Sequence, residues 1–586
     1  MEARSAIRSD LKQTAPEASL SFAQELAQHL LLFALFFTAL MLMHAPLLRL
    51  PYFWDEAGYY IPAARDLFLS GTLIPHSTPS NAHPPLVMAW LALAWRVFGY
   101  STQVTRTAIL AVSAFSLVGL FRLSRIVANP YIAWATTILV AVYPVYFTQS
   151  SMAQVDLPAA GFTFWGLAAY ISSFKKEGNQ WEYAAWFSLA ALAKETAILA
   201  PLAFVAWETV AELIRPRFIG SGWKEFLPPM ERHGAKVYLL LPLLPLAAWY
   251  AYHYSKTGFL FGNPEFFRYN VAATLSPLRI PLALLLRLWQ LFGYLGLYLL
   301  TLAGSLAMFR PPQRHGRISA TESRERIPLW MQGAFLSVLL AYLMFMSIVG
   351  GAVLARYMLP VVPLLVLAFV STLWRRVRYW KLIVSCIALA FSANLFSNPP
   401  YGFSLEDNLA YRDYIVMHSE ASRFLTSRYP GRRVLTAWPA SDELSRPWLG
   451  YLSRPFPVVR LEDFSAPQIS LAAMVRDRFD VAFVFSTKYE PPHPLFGNWE
   501  TWQRLKEKFF GYHRDSPPED IARQLGGAIV FHAVRDGQWA AVIAMQRVED
   551  ARTFEGAPAQ PILESHQVAG MRLDHEPDIF LSSKFQ

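Results

Sequence analysis

The sequence carries a single cysteine, Cys386, in 586 residues. That excludes an intrachain disulfide and any metal centre built on thiolates. Charge is also scarce: 16% of residues are Asp, Glu, Lys or Arg, against about a quarter in soluble domains. Hydrophobic residues reach 54% and aromatics 15%, too apolar for a chain soluble throughout. The scarcity is uneven. Long apolar runs recur up to Phe396, and the composition becomes ordinary after Asn398. That later part has no Gly-rich phosphate loop and no catalytic-triad signature.

What is there is a series of apolar runs of membrane-spanning length. They are Leu30–Leu50, Thr107–Val127, Tyr131–Phe147, Leu157–Phe174, Tyr183–Ala193, Ala197–Leu213, Val237–His253, Leu282–Phe309, Leu329–Val349, Tyr357–Trp374 and Leu382–Phe396. Most approach the roughly 20 residues that cross the hydrocarbon layer. The fold class expected is mainly α: about eleven spans, followed by a small extracytoplasmic α/β domain. Expected boundaries are 1–28 for a cytoplasmic segment, 29–397 for the membrane domain, 398–550 for the soluble domain and 551–586 for a loosely ordered tail. The first run exceeds a signal-peptide core of roughly 7–15 residues, so it is expected to stay as a helix. Pro85–Phe98 is short and carries Arg96, which predicts a helix lying in the interface.

The formal charge of +10 does not imply a nucleic-acid partner in such a chain, because excess Lys and Arg mark cytoplasmic loops. Arg122 and Arg125, Lys175 and Lys176, Arg215 to Lys236, Arg310 to Arg326, and Arg375 to Lys381 all fall on one side of this threading. Arg4, Arg8 and Lys12 join them. The opposite, outer side then holds Asp55, His83, Asp156, Lys194, the loop Ser255–Pro281, Arg356 and everything after Ser397.

Each of those residues has a bland reading as well as a chemical one. Asp55-Glu56 could end the first helix, yet two acids at a helix mouth oppose insertion. His83-Pro84-Pro85 suits a helix start. Asp156 suits a helix N-cap. Lys194-Glu195 could be an adjacent ion pair at the interface, and Arg356-Tyr357 an interfacial anchor. Together they form two carboxylate stations and several cations on one face. Glycosyl transfer uses such a set: a carboxylate to take or orient the acceptor proton, and cations for a departing phosphate.

These residues resemble the GT-C membrane glycosyltransferases, including aminoarabinose transferases, protein O-mannosyltransferases and RgtA/B/C/D-like enzymes. The resemblance rests on Asp55-Glu56 with Tyr59, a basic residue before Pro84-Pro85-Leu86, Asp156, Lys194 in Ala-Lys-Glu-Thr, and Arg356-Tyr357-x-x-Pro360. It spans roughly Leu30 to Phe396. It implies catalytic roles for Asp55 and Asp156, and substrate binding by Glu56, Tyr59, His83, Lys194, Arg356 and Tyr357. The donor implied is a polyprenyl-phosphate sugar, and the acceptor extracytoplasmic: lipid A or another glycolipid, an envelope glycan or a protein. His83 departs from the aminoarabinose pattern, where a lysine stands. The location implied is the bacterial inner membrane, multi-pass in the bilayer, with the site and the C-terminal domain outside.

The sequence establishes no certain cofactor. Asp55, Glu56, His83 and Asp156 have the chemistry for a divalent metal, which is left open. A transporter or flippase of lipid-linked sugars would also want a groove and charges, but it predicts repeats and broken helices near mid-membrane. A non-catalytic scaffold leaves the ordered acids and bases unexplained. The loop Ser255–Pro281, rich in Phe and Tyr, is expected either to cover the site or to sit in the interfacial aromatic belt. In the tail, Tyr411–Arg428 and Trp499–Phe510 predict helices. Arg433–Ala437 and Val481–Phe485 predict buried strands, and Ile529–Val534 with Trp539–Met545 a hairpin around Arg535-Asp536-Gly537-Gln538.

Overall fold

The computed structural model describes residues 22–174, 179–214, 225, 235–314, 323–491, 499–512 and 514–546. Most of the expected cytoplasmic segment 1–28, most of Arg215 to Lys236, part of Arg310 to Arg326, the pair Lys175-Lys176 and the tail 551–586 lie outside the described residues.

The apolar runs fold as helices, with few charged residues along them. Those of the first half are α1 (Phe22–His44), α2 (Ile61–Ser70), α3 (Leu86–Phe98), α4 (Thr102–Val127), α5 (Pro130–Val142), α6 (Pro144–Gln149), α7 (Asp156–Ser172), α8 (Gln180–Ala193) and α9 (Leu199–Ile214). Then come α10 (Ala235–Leu240), α11 (Leu243–Thr257), α12 (Pro264–Asn270), α13 (Arg279–Phe292), α14 (Leu297–Met308), α15 (Leu329–Ile348), α16 (Val362–Arg376) and α17 (Trp380–Asn394). Among the described residues five helical runs are long and apolar enough to cross a membrane: Ala23–Leu47, Thr102–Val127, Glu195–Ile214, Arg279–Met308 and Leu329–Ile348. The other expected spans are also helical, but shorter or interrupted.

Proline and glycine explain the interruptions. Pro144 separates α5 from α6, and Pro242 separates α10 from α11, since proline cannot donate within a helix. Between α13 and α14 the backbone leaves the helix at Leu295 (φ 46°) and Gly296 (φ 92°). The freed Leu295 N–H donates to the Tyr401 hydroxyl at 3.0 Å. Elsewhere small residues let the helices close on one another. A Cβ at Gly119 would meet the Trp165 ring at 2.6 Å, one at Gly161 would meet Ser116 at 2.8 Å, and one at Gly166 the Phe187 ring at 2.6 Å. These contacts fasten α4, α7 and α8 together. The short helix α3 keeps Trp90, Leu93 and Val97 exposed along one face.

After α17 the chain builds a five-stranded sheet of order β2-β1-β3-β5-β4. The strands are β1 (Val434–Ala437), β2 (Val458–Leu461), β3 (Val481–Phe485), β4 (Gly527–Arg535) and β5 (Gln538–Met545). β1 pairs in parallel with β2 and β3, and β5 runs antiparallel to β3 and β4. The hairpin turns at Asp536 and Gly537, both at positive φ, as a tight two-residue turn requires. Helices α18 (Ala410–Arg428), α19 (Ala440–Ser445), α20 (Ala466–Met474), α21 (Glu500–Phe510) and α22 (Pro518–Leu525) complete this part.

The sheet part seats directly on the segment after α1. Tyr52 N–H donates to Leu449 O at 3.3 Å, Tyr451 hydroxyl to Tyr52 O at 3.1 Å, and Tyr100 hydroxyl to Trp448 O at 2.8 Å. One continuous apolar core runs from Phe53 and Ile61 through Tyr411 and Tyr414 to β3 and β5. The loop that carries Asp55 is thus held from both sides.

Candidate active site

Asp55 stands at the start of a π-helical turn, Glu56–Tyr60. The residue before it, Trp54, has φ 45°, a strained conformation for a bulky residue and a frequent mark of functional sites. Ala82, immediately before His83, is strained likewise at φ 57°. Trp54 is fixed edge-to-face by Trp438, which follows β1, with ring centroids 5.2 Å apart. Gly58 makes room for that tryptophan: a Cβ there would lie 2.7 Å from its ring.

Arg356 gathers the acids. It sits in a helical turn, Ala355–Met358, ahead of α16 and is 2% exposed. Its two terminal nitrogens bond Asp55 and Glu406, and its Nε lies 3.2 Å from Asp156 Oδ2. Lys194 Nζ bonds Asp156 Oδ1 at 2.5 Å and lies 3.9 Å from the centre of the Tyr357 ring. Asp55, Asp156 and Glu406 therefore face Arg356 and Lys194, one more negative charge than positive. His83 Nδ1 is 2.8 Å from Glu195 Oε2, so Glu195 pairs across space and not with its neighbour Lys194.

Asp55, Tyr59, His83, Lys194, Arg356 and Tyr357 all line one open cavity of about 3030 Å³. That is several times the roughly 300–1,000 Å³ of an ordinary small-molecule pocket. Its lining includes Leu286, Trp289, Tyr298 and Phe345 from the apolar helices, and Trp438, Thr487 and Trp502 from the sheet part. The loop Ser255–Pro281, through α12 and its flanks, contributes Phe261, Asn263, Phe266 and Tyr269 to the cavity lining. Asn263 N–H donates to Ser80 O at 3.1 Å, Trp249 Nε1 donates to Ala82 O at 2.9 Å, and Phe266 packs edge-on against His83.

Two expected site residues do not line the cavity. Glu56, expected to bind substrate, is wholly buried and does not line the cavity. Its carboxylate is taken up by Arg106, at 2.5 and 3.0 Å, and by the Ala153 and Phe53 N–H groups at 2.5 and 3.0 Å. Asp156, expected to be catalytic, also lies off the cavity wall, behind Lys194 and Arg356. It opens α7, and Val155 rather than Asp156 occupies the N-cap. These placements also scatter the four groups weighed as metal ligands: Glu56 faces Arg106, Asp156 faces Lys194, and His83 faces Glu195. Among the described residues no group of three or more His, Cys, Asp or Glu is arranged to hold a metal ion.

Glu406 and Arg106 are the additions. Glu406 lies in a short turn between α17 and α18, where Gln154 Nε2 donates to it at 2.9 Å and Thr148 hydroxyl bonds its backbone O at 2.6 Å. Burial, with Arg356 opposing, raises the pKa of its carboxyl. The acid pair Glu406-Asp407 after the last apolar run repeats Asp55-Glu56 after the first, and that repetition is the signal in the sequence. Arg106, an arginine inside an apolar helix, is a signal of the same kind.

Among curated proteins none matches the chain in sequence. Among solved structures, ArnT from Cupriavidus metallidurans bound to undecaprenyl phosphate is 14% identical, with a TM-score of 0.49 over 89% of this chain and 98% of that one. AglB, the oligosaccharyltransferase of Archaeoglobus fulgidus, in complex with an inhibitory peptide and a dolichol-phosphate, is 11% identical, with a TM-score of 0.42 over 88% and 74%. The protein O-mannosyltransferase Pmt1-Pmt2 complex of S. cerevisiae bound to the sugar donor is 16% identical, with a TM-score of 0.29 over 42% and 36%. Residues 82–223, which include His83, Arg106, Asp156 and Lys194, match the family model described as dolichyl-phosphate-mannose-protein mannosyltransferase.

Proposed function

We propose that this protein is a membrane glycosyltransferase that moves a sugar from a polyprenyl-phosphate carrier to an acceptor outside the cytoplasm of a bacterial cell. The observation that carries the reading is the pairing of Asp55 with Arg356 on the wall of one large cavity, with Lys194 and His83 on the same wall. The cavity is lined both by apolar helix residues, suited to a prenyl chain, and by the charged residues named above.

In this reading an acceptor hydroxyl or amine attacks the sugar's anomeric carbon. Its proton passes to Asp55, or Asp55 orients the nucleophile. The bond from the anomeric carbon to the phosphate oxygen breaks, and the electron pair leaves on the phosphate. Arg356 and Lys194 offset that developing charge, where fixed cations act most strongly away from water. Both cations already hold carboxylates, so phosphate competes with Asp55 and Glu406 for the Arg356 fork. His83 and Glu195 stand at the same wall and would contact the phosphate or the sugar. Asp156 acts by positioning Lys194 and Arg356, and Glu56 by holding the Asp55 loop to Arg106.

A second reading, a transporter or flippase of lipid-linked sugars, is favoured by one observation: the broken helix between α13 and α14, a feature of transporter sites. The two readings separate in reconstituted vesicles supplied with labelled polyprenyl-phosphate sugar. Glycosyl transfer to an acceptor extract, lost in Asp55→Asn, supports the first. Movement of intact lipid across the bilayer without transfer supports the second.

A further inference from the structure

The break between α13 and α14 brings Tyr294 to a buried acid that the reaction above does not use. Asp407 is 1% exposed and lies on the cavity wall. The Tyr294 hydroxyl donates to its Oδ2 at 2.6 Å. Its Oδ1 is buried and has no partner among the described residues. A buried polar atom left unpaired costs free energy unless a ligand or water satisfies it. Tyr294 itself sits where the helix is interrupted, beside Leu295 at φ 46°. Non-helical backbone at membrane depth is tolerated where it lines a cavity. Tyr294, next to that strained residue, and the half-satisfied acid therefore meet on the same wall.

The surroundings limit what can satisfy Oδ1. Glu406, next in sequence, carries its charge to Arg356, so a phosphate at Asp407 would face a carboxylate. Burial, then Glu406, pushes the Asp407 carboxyl up to about 8, which leaves a proton to donate at neutral pH. Tyr294, Tyr401 and Tyr143 are the other titratable groups near it, and Arg356 is the nearby cation. A prenyl chain offers no polar atom. Of the three parts of a lipid-phosphate sugar, the sugar hydroxyls match.

We propose that Asp407 and Tyr294 form a subsite that hydrogen-bonds a hydroxyl of the donor's sugar, beside the Arg356 cluster that takes its phosphate. This rests on the donor class proposed above.

The test measures binding to the full-length protein in nanodiscs, with undecaprenyl phosphate and with a panel of undecaprenyl-phosphate hexoses and pentoses. Wild type should hold at least one sugar-bearing lipid more tightly than the bare lipid phosphate. Asp407→Ala should weaken that lipid by roughly five- to tenfold, the value of one hydrogen bond, and leave the bare lipid phosphate unchanged. Tyr294→Phe should act in the same direction and keeps the test valid should the alanine variant fail to fold. Equal weakening of both lipids, no weakening of either, or equal wild-type affinity for bare and sugar-bearing lipids would each overturn the subsite. Arg356→Ala should weaken both lipids; if it affects neither, the donor class is wrong instead.

Discussion

Asp55 and Arg356, 301 residues apart in the chain, are joined by an ion pair on the cavity wall. The pair links the loop after the first apolar helix to the turn before α16, and Glu406 brings in the segment after the last one. Three distant parts of the sequence thus converge on one guanidinium. Arg356→Lys should therefore fail to replace arginine, because an ammonium cannot hold two carboxylates in a planar fork. Transfer activity in membranes should fall at least roughly tenfold, with protein level unchanged. Near-normal activity in the lysine variant would mean that charge alone suffices.

Glu56 and Arg106 should behave as structure. Removing one partner of a buried pair typically costs about 3–5 kcal/mol. Arg106→Ala should lower the yield of monodisperse protein and its unfolding temperature. A variant that stays folded and fully stable, yet loses transfer, would place the pair in the chemistry.

Gly58 should be intolerant of a methyl group for one reason, Trp438. Overpacking of this kind costs roughly 1–3 kcal/mol. Gly58→Ala should reduce both stability and activity, and the stability loss should largely vanish in a Trp438→Ala background. Additive effects in the double variant would show that the two do not meet.

Asp407 should leave a mark on the pH dependence of stability. Its folded pKa of about 8 stands above the ordinary value of 3.8, so between those values the folded state binds more protons than the unfolded state. Stability from this group must then fall as pH rises through that window. Thermal unfolding should show wild type losing ground to Asp407→Asn from about pH 4 to about pH 8. Parallel curves would mean that the acid titrates normally.

The helices were legible in the sequence because apolar length and proline punctuation are local. The hairpin around Asp536-Gly537 and strands β1 and β3 were legible for the same reason. Strand β2, Val458–Leu461, was not: it is short, only partly buried and contains Arg460. Loop charge places Asp55, His83, Asp156, Lys194 and Arg356 on one side, and in the structure Asp55, Asp156, Lys194 and Arg356 touch one another. What loop charge cannot convey is who pairs with whom. Glu56 turns away because Arg106, 50 residues on, reaches it first. Glu406 is not legible as a site residue because it follows the last apolar run, where the chain reads as a linker.

The central claim, that Asp55 serves the transfer step, is tested most directly by the rate of sugar transfer from a labelled polyprenyl-phosphate donor by purified Asp55→Asn protein. The variant should stay folded and still bind the lipid donor, while turnover drops by about 10²–10⁴, the usual contribution of a general base. Full turnover by folded Asp55→Asn would contradict the account.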